Sequence, residues 1–136
     1  MPADHEATVR AFFGAWVERD PDRLTSFFAS DGTWSEANRD AAKGPDEIRP
    51  VFELQTSFGS DFSFEFKRLE VVGDTVFTER VDRFVINDTP MAVPVAGIFE
   101  FDADGLISAW RDYYDWALLE AQLLAAGVDL TGLEGI

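Results

Sequence analysis

Hydrophobic positions along this chain follow two different periods. From residue 4 to 19, Val9, Phe12, Phe13, Trp16 and Val17 recur at helical spacing on one stripe. Pro21 interrupts that stripe, and a short second helix is expected from Asp22, as its cap, through Phe28. Asp31-Gly32 reads as a turn, 33–36 as a short strand and 38–45 as a polar loop. Pro45-Asp46-Glu47 opens a third helix that should bury Ile48, Val51, Phe52 and Leu54 and stop before Gly59.

Beyond Asp61 the period changes to two. Phe62, Phe64 and Phe66 share one face of a strand, and Gly73-Asp74 turns the chain into a long strand over 75–86. After a second turn at 87–90, a strand over 91–101 contains Pro94, which predicts an edge, a bulge or a bend there. Asp104-Gly105 signals a hairpin into a last strand over 106–114. A final helix over about 115–126 carries Trp116, Leu119 and Leu123 on one side. Helices followed by an antiparallel meander predict an α+β fold in one domain, residues 1–136. Its helical part covers about 4–58 and its sheet about 61–114, curved around the helices to enclose a cone-shaped pocket.

Composition narrows the function. Twenty-six acidic against 11 basic residues give a formal charge of -15, which disfavours nucleic acid and anionic membranes as partners. No apolar run approaches the roughly 20 residues of a membrane span, and the first residues lack the pattern of a signal peptide. The expectation is a soluble cytoplasmic protein. There is no cysteine, hence no thiolate nucleophile and no disulfide. The one histidine, His5, is expected at an unstructured end without a catalytic role.

The chemistry-bearing signal is Thr78-Glu79-Arg80-Val81-Asp82 together with Trp110-Arg111-Asp112-Tyr113-Tyr114-Asp115. Strand alternation puts Arg80 and Asp82 on one face with Val76, Phe84 and Ile86. It puts Asp112 between Trp110 and Tyr114. These charges could form a solvent-facing ladder, in which each exposed pair would contribute at most about 1 kcal/mol. Their apolar neighbours argue instead for burial, which charges tolerate only when paired and hydrogen-bonded. One guanidinium binding a carboxylate on either side would satisfy all three groups. Such a cluster exchanges protons without a metal, a cysteine or a histidine.

These two segments, with Ala96-Gly97-Ile98-Phe99-Glu100, resemble the limonene-1,2-epoxide hydrolase family. The resemblance is strongest over 76–115. It implies the cone-shaped fold shared with nuclear transport factor 2 and ketosteroid isomerase, a homodimer formed through exposed strands, and no cofactor. It casts Asp82 as the general acid that protonates an epoxide oxygen, Asp112 as the base that activates water, and Arg80 as the bridge between them. In that family a Tyr and an Asn on the first strand help to hold the water. Trp34 and Glu36 occupy the matching positions here. Trp34 can only donate, through its indole N–H, whereas Glu36 can accept but adds a third carboxylate. Asn38 is a nearby substitute.

The expected substrate is a small, largely apolar epoxide, opened in one step to a diol. The two aspartates should titrate as a unit, with Asp82 protonated and Asp112 ionised. Phe84, Val95, Trp110 and Tyr114 are the candidate pocket residues, Leu54 a further one, and Trp16 is expected in the core, where it could also touch the pocket. Isomerisation or ring closure in the same cone, or ligand binding without catalysis, remain alternatives, because the fold does not choose among them.

Overall fold

Asp4 starts the first helix by accepting a hydrogen bond from the Ala7 N–H at 3.0 Å. The computed structural model describes residues 4–37 and 39–132. Helix α1 runs over His5–Glu18 and helix α2 over Pro21–Ser26. The cap of α2 is Asp20, not Asp22, and accepts from the Arg23 N–H at 3.1 Å. Pro21 opens this helix instead of merely ending the previous one, since the first helical position needs no N–H.

Strand β1 (Phe28–Glu36) is longer than the four residues expected. Gly32, expected in a turn, lies inside the strand. A Cβ there would stand 2.7 Å from the Ile107 carbonyl oxygen, so glycine permits backbones to approach rather than the chain to reverse. The expected loop contains a two-residue strand, β2 (Ala42–Lys43), paired antiparallel to Thr33 and Trp34. Helix α3 (Pro45–Phe58) buries Ile48 and Phe52, with Val51 half-buried and Leu54 exposed.

The meander follows as β3 (Ser60–Val72), β4 (Thr75–Ile86), β5 (Thr89–Phe101) and β6 (Ile107–Tyr114), then helix α4 (Trp116–Ala125). The six strands form one curved mixed sheet in the order β2-β1-β6-β5-β4-β3, in which β1 and β6 are the parallel pair. Strand β5 is therefore central, despite Pro94. The β5–β6 ladder ends at Val95 opposite Tyr114, so Pro94 meets no strand on that side. Two residues earlier, the exposed backbone of Ala92 is satisfied by a side chain. Its N–H donates to Gln122 Oε1 at 3.0 Å, and its carbonyl accepts from Gln122 Nε2 at 2.8 Å. Helix α4 thus closes the open side of β5 where Pro94 needs no donor.

Helices α1 and α3 pack on the concave face through aromatic rings. Phe12 is fully buried, with the rings of Phe13, Phe27, Phe28, Phe52, Phe99 and Trp110 centred 5.0–6.1 Å away. Phe62, Phe64 and Phe66 pack against this cluster from β3, on the one face that their alternation predicted. A second cluster of Ile86, Met91, Leu123, Ala126 and Val128 seats α4 over the ends of β4 and β5. No helix among the described residues is long and apolar enough to cross a membrane.

His5 is structured, contrary to the sequence reading. Its ring is buried and stacked 4.3 Å from Phe101, and Nε2 donates to Asp74 Oδ1 at 2.9 Å. It pins the start of α1 to the β3–β4 turn. His5→Ala should lower unfolding free energy in urea by about 1–2 kcal/mol, mainly through the lost stack and buried area. Asp74→Asn should cost less than about 0.5 kcal/mol, because Asp74 is largely in solvent and an exposed pair is well screened.

Candidate active site

Alternation along β4 sends Thr78, Arg80 and Asp82 into the cone, while Glu79 and Arg83 face solvent. Arg80 is 1 % exposed. Its Nε and Nη2 donate to the two oxygens of Asp82, both at 2.9 Å. Its Nη1 and Nη2 donate to the two oxygens of Asp112 at 3.2 and 2.8 Å, and Nη1 also to Thr78 Oγ1 at 2.9 Å. Each carboxylate is thus held by two N–H groups of one planar fork. The guanidinium carbon lies 4.6 Å from the centre of the Phe13 ring, a cation–π contact that ties α1 to the site.

Asp112 is further held by Trp110, whose Nε1 donates to Oδ1 at 2.8 Å. Gly97 on β5 lies in register between Thr78 and Asp112. A Cβ at Gly97 would stand inside contact distance of Arg80 Nη1 and Asp112 Oδ1, and 2.9 Å from Thr78 Oγ1. The clamp crosses β5 where that strand has no side chain. Sequence reasoning used Gly97 only as part of a resemblance, although an interior strand glycine is itself a signal of close approach. Alternation sets Thr78 on the face of Arg80, and the structure adds its role as an acceptor for Arg80 Nη1.

The clamp opens on a cavity of about 140 Å³. In the measure where one water needs roughly 10–15 Å³, this accommodates about ten non-hydrogen atoms. Phe84, Val95, Trp110, Tyr114 and Leu54 all line it, as do Asp82, Asp112, Glu36 and Trp16. Gln55 and the α4 residues Trp116, Leu119 and Leu123 complete the wall and were not anticipated there. Trp34 does not line the cavity. It is 3 % exposed, stacked between Phe52 and Trp110 at 4.6 and 4.7 Å, so it belongs to the core that supports the wall. Asn38 lies outside the described residues. No group of three or more His, Asp or Glu side chains among the described residues converges to hold a metal ion.

Glu36 is the residue whose surroundings differ most from expectation. It sits opposite Asp112 in the β1–β6 register, half-buried at the cavity wall. Gln55 Nε2 donates to its oxygens at 3.4 and 3.5 Å, and the Tyr114 hydroxyl at 3.4 Å. Burial, then the charge of Asp112, pushes its carboxyl up to about 7. Burial, then Glu36, likewise pushes the Tyr114 phenol above its usual range.

Burial disfavours the Arg80 cation, but Asp112 and Asp82 outweigh this and hold its pKa above the ordinary value. Burial raises the Asp112 carboxyl, with Arg80 opposing. Asp82 is the more open arm of the clamp, its side chain retaining 17 % exposure against 6 % for Asp112.

Residues 9–110 match the family model described as a SnoaL-like domain. Epoxide hydrolase EphG of Mycobacterium tuberculosis is 30 % identical over 108 residues, covering 79 % of this chain and 70 % of that protein. An LEH-like epoxide hydrolase structure from M. tuberculosis superposes with a TM-score of 0.75 at 26 % identity, covering 94 % and 95 % of the two chains. A protein of ketosteroid isomerase-like fold from Catenulispora acidiphila, in complex with trimethylamine, gives 0.76 at 26 % identity, covering 90 % and 93 %. Sequence, topology and cone agree: the chain belongs to the SnoaL-like family and has the NTF2-like fold of its epoxide hydrolase-like relatives.

Proposed function

We propose that this protein hydrolyses a small, largely apolar epoxide to a vicinal diol by general acid and general base catalysis. The observation that carries this reading is a buried guanidinium clamping two carboxylates at the wall of an aromatic cavity. Likeness to the mycobacterial epoxide hydrolases supports it. The charge balance explains why such a clamp would hold a proton. One cation facing two carboxylates leaves one negative charge uncompensated, and burial that raises the Asp112 carboxyl favours a proton bound to the cluster.

In the reaction the proton of the pair passes to the oxirane oxygen as its C–O bond breaks. Asp82, the more open arm, delivers it, and no free alkoxide forms. Water attacks the carbon from the opposite side and loses a proton to a carboxylate, a task the resemblance gives to Asp112. Acid and base contributions of roughly 10²–10⁴ each would lower the barrier by about 5–11 kcal/mol. The aromatic wall orients the substrate mainly by shape, with few polar contacts.

A second reading, isomerisation or ring closure, gains from one feature. Glu36 forms no ion pair among the described residues, and its raised carboxyl could remove a proton from carbon.

Incubating the protein with terpene, cyclic and aryl epoxides in ¹⁸O-water should give diol carrying one labelled oxygen, read by mass spectrometry. Absence of diol across the panel would favour the second reading. Asp82→Asn and Asp112→Asn should each lower kcat by at least about 10²-fold while near-UV circular dichroism stays unchanged. An active double mutant would eliminate this chemistry. Gly97→Ala should displace Arg80 from its carboxylates and cost about 1–3 kcal/mol of stability with loss of turnover, because the added methyl meets the clamp itself. Unchanged turnover in Gly97→Ala would show that the clamp is not required.

A further inference from the structure

Two large apolar side chains of α3 belong to the cavity wall and to the surface at once. Leu54 and Phe58 line the cavity, yet each is 39 % exposed. They lie about one turn apart and therefore on one face of the helix. Gln55 and Gly59 also reach the wall from this end of α3, as do Trp116 and Leu119 from α4. Single exposed apolar residues are ordinary on a protein surface. A stacked pair that carries a buried aromatic wall out to solvent is a cavity mouth.

The long axis of the cavity follows β4. Asp82, Phe84 and Ile86 share one face of that strand and all line the space, so the clamp stands at one end and Ile86 at the other. At about 3.3 Å per residue the two ends are roughly 13 Å apart. Ser60, just after the end of α3, pairs with Val85, which puts the mouth at the Ile86 end. Room for about ten non-hydrogen atoms, drawn out over that length, is about one chain wide. Such a space suits an extended hydrocarbon chain better than fused rings. Glu36, Asp82 and Asp112 in its wall disfavour an anionic chain.

We propose that Leu54 and Phe58 set the specificity of this site by carrying an alkyl tail out through the mouth, so that the substrate is an epoxide at one end of a neutral hydrocarbon chain longer than the cavity. The proposal rests on the hydrolytic reading above and names the substituent that reading leaves open. With the oxirane at the clamp, the chain runs past Phe84 and Ile86 and emerges over the two α3 side chains. Each methylene removed from water favours binding, and the gain continues beyond the enclosed part because Leu54 and Phe58 are themselves apolar. Asp82 and Asp112 keep their roles, and the tail contributes affinity and register.

The test uses the full chain in ¹⁸O-water with 1,2-epoxyalkanes of about six to fourteen carbons, each below its solubility limit. Inside the cavity kcat/KM should rise about fourfold per added methylene, and over the half-covered mouth about twofold. Leu54→Gln and Phe58→Gln keep a good helix former at both positions. Each should cut the ratio of kcat/KM for long over short epoxides by about three- to tenfold, through KM more than kcat. Binding is read separately from turnover. Trp16, Trp110 and Trp116 line the cavity, so tryptophan fluorescence should report 1,2-alkanediols with the same dependence on length.

A plateau in both series once the chain exceeds about ten non-hydrogen atoms would overturn the assignment. Equal weakening at every length in the two variants would overturn it too. An accompanying shift in elution volume on gel filtration would then assign Leu54 and Phe58 to contact with a second copy of this chain. No labelled diol from any epoxide, together with length-dependent binding of the alkanediols, would remove the hydrolytic reading and leave the tail site standing.

Discussion

The Arg80 guanidinium is the constraint around which the molecule is built. A cation with no exposed side-chain surface has lost its hydration, a penalty of several kcal/mol that only well-formed hydrogen bonds and opposite charge offset. Arg80 obtains these from Asp82 on its own strand, Asp112 two strands away and the hydroxyl of Thr78, with the face of Phe13 below. None of these partners is adjacent to the others by chance. Same-face spacing on β4 supplies Thr78 and Asp82, and the β4–β5–β6 register brings Asp112 into line.

The cost of satisfying one cation with two anions is an excess negative charge in a dry place. Adding Glu36 deepens it, because that carboxyl has burial and the Asp112 charge against it and only distant or weak compensation. Protons are the simplest remedy for such an imbalance. A pocket lined by aromatic rings and holding a carboxyl raised to about 7 would suit acid–base chemistry on an apolar substrate. The same imbalance would suit isomerisation, so the architecture does not by itself choose between the two chemistries.

The helices matter to the site as much as the strands do. Helix α1 brings Phe13 under Arg80, α3 brings Gln55 to Glu36, and α4 contributes Trp116, Leu119 and Leu123 to the wall. Trp34, seated between Phe52 and Trp110, stiffens the wall from behind instead of entering it. His5 fastens the first helix to the sheet at its far end. The cavity therefore depends on packing contacts spread over the whole chain.

Strand alternation alone was enough to place Arg80 with Asp82 and to set Asp112 between Trp110 and Tyr114. Period two is a local property, and apolar flanking residues mark which face is buried. The helices, the meander and the α+β class were legible for the same reason. The start of β1, the purpose of Gly32 and Gly97, the burial of His5 and the retreat of Trp34 into the core were not. Each depends on what lies across a register or a packing layer, many residues away in sequence. Glu36 shows the boundary most clearly. Its identity was visible as a carboxylate on the first strand, but its affinity for a proton comes from Asp112, 76 positions later, and from burial that only the folded chain creates.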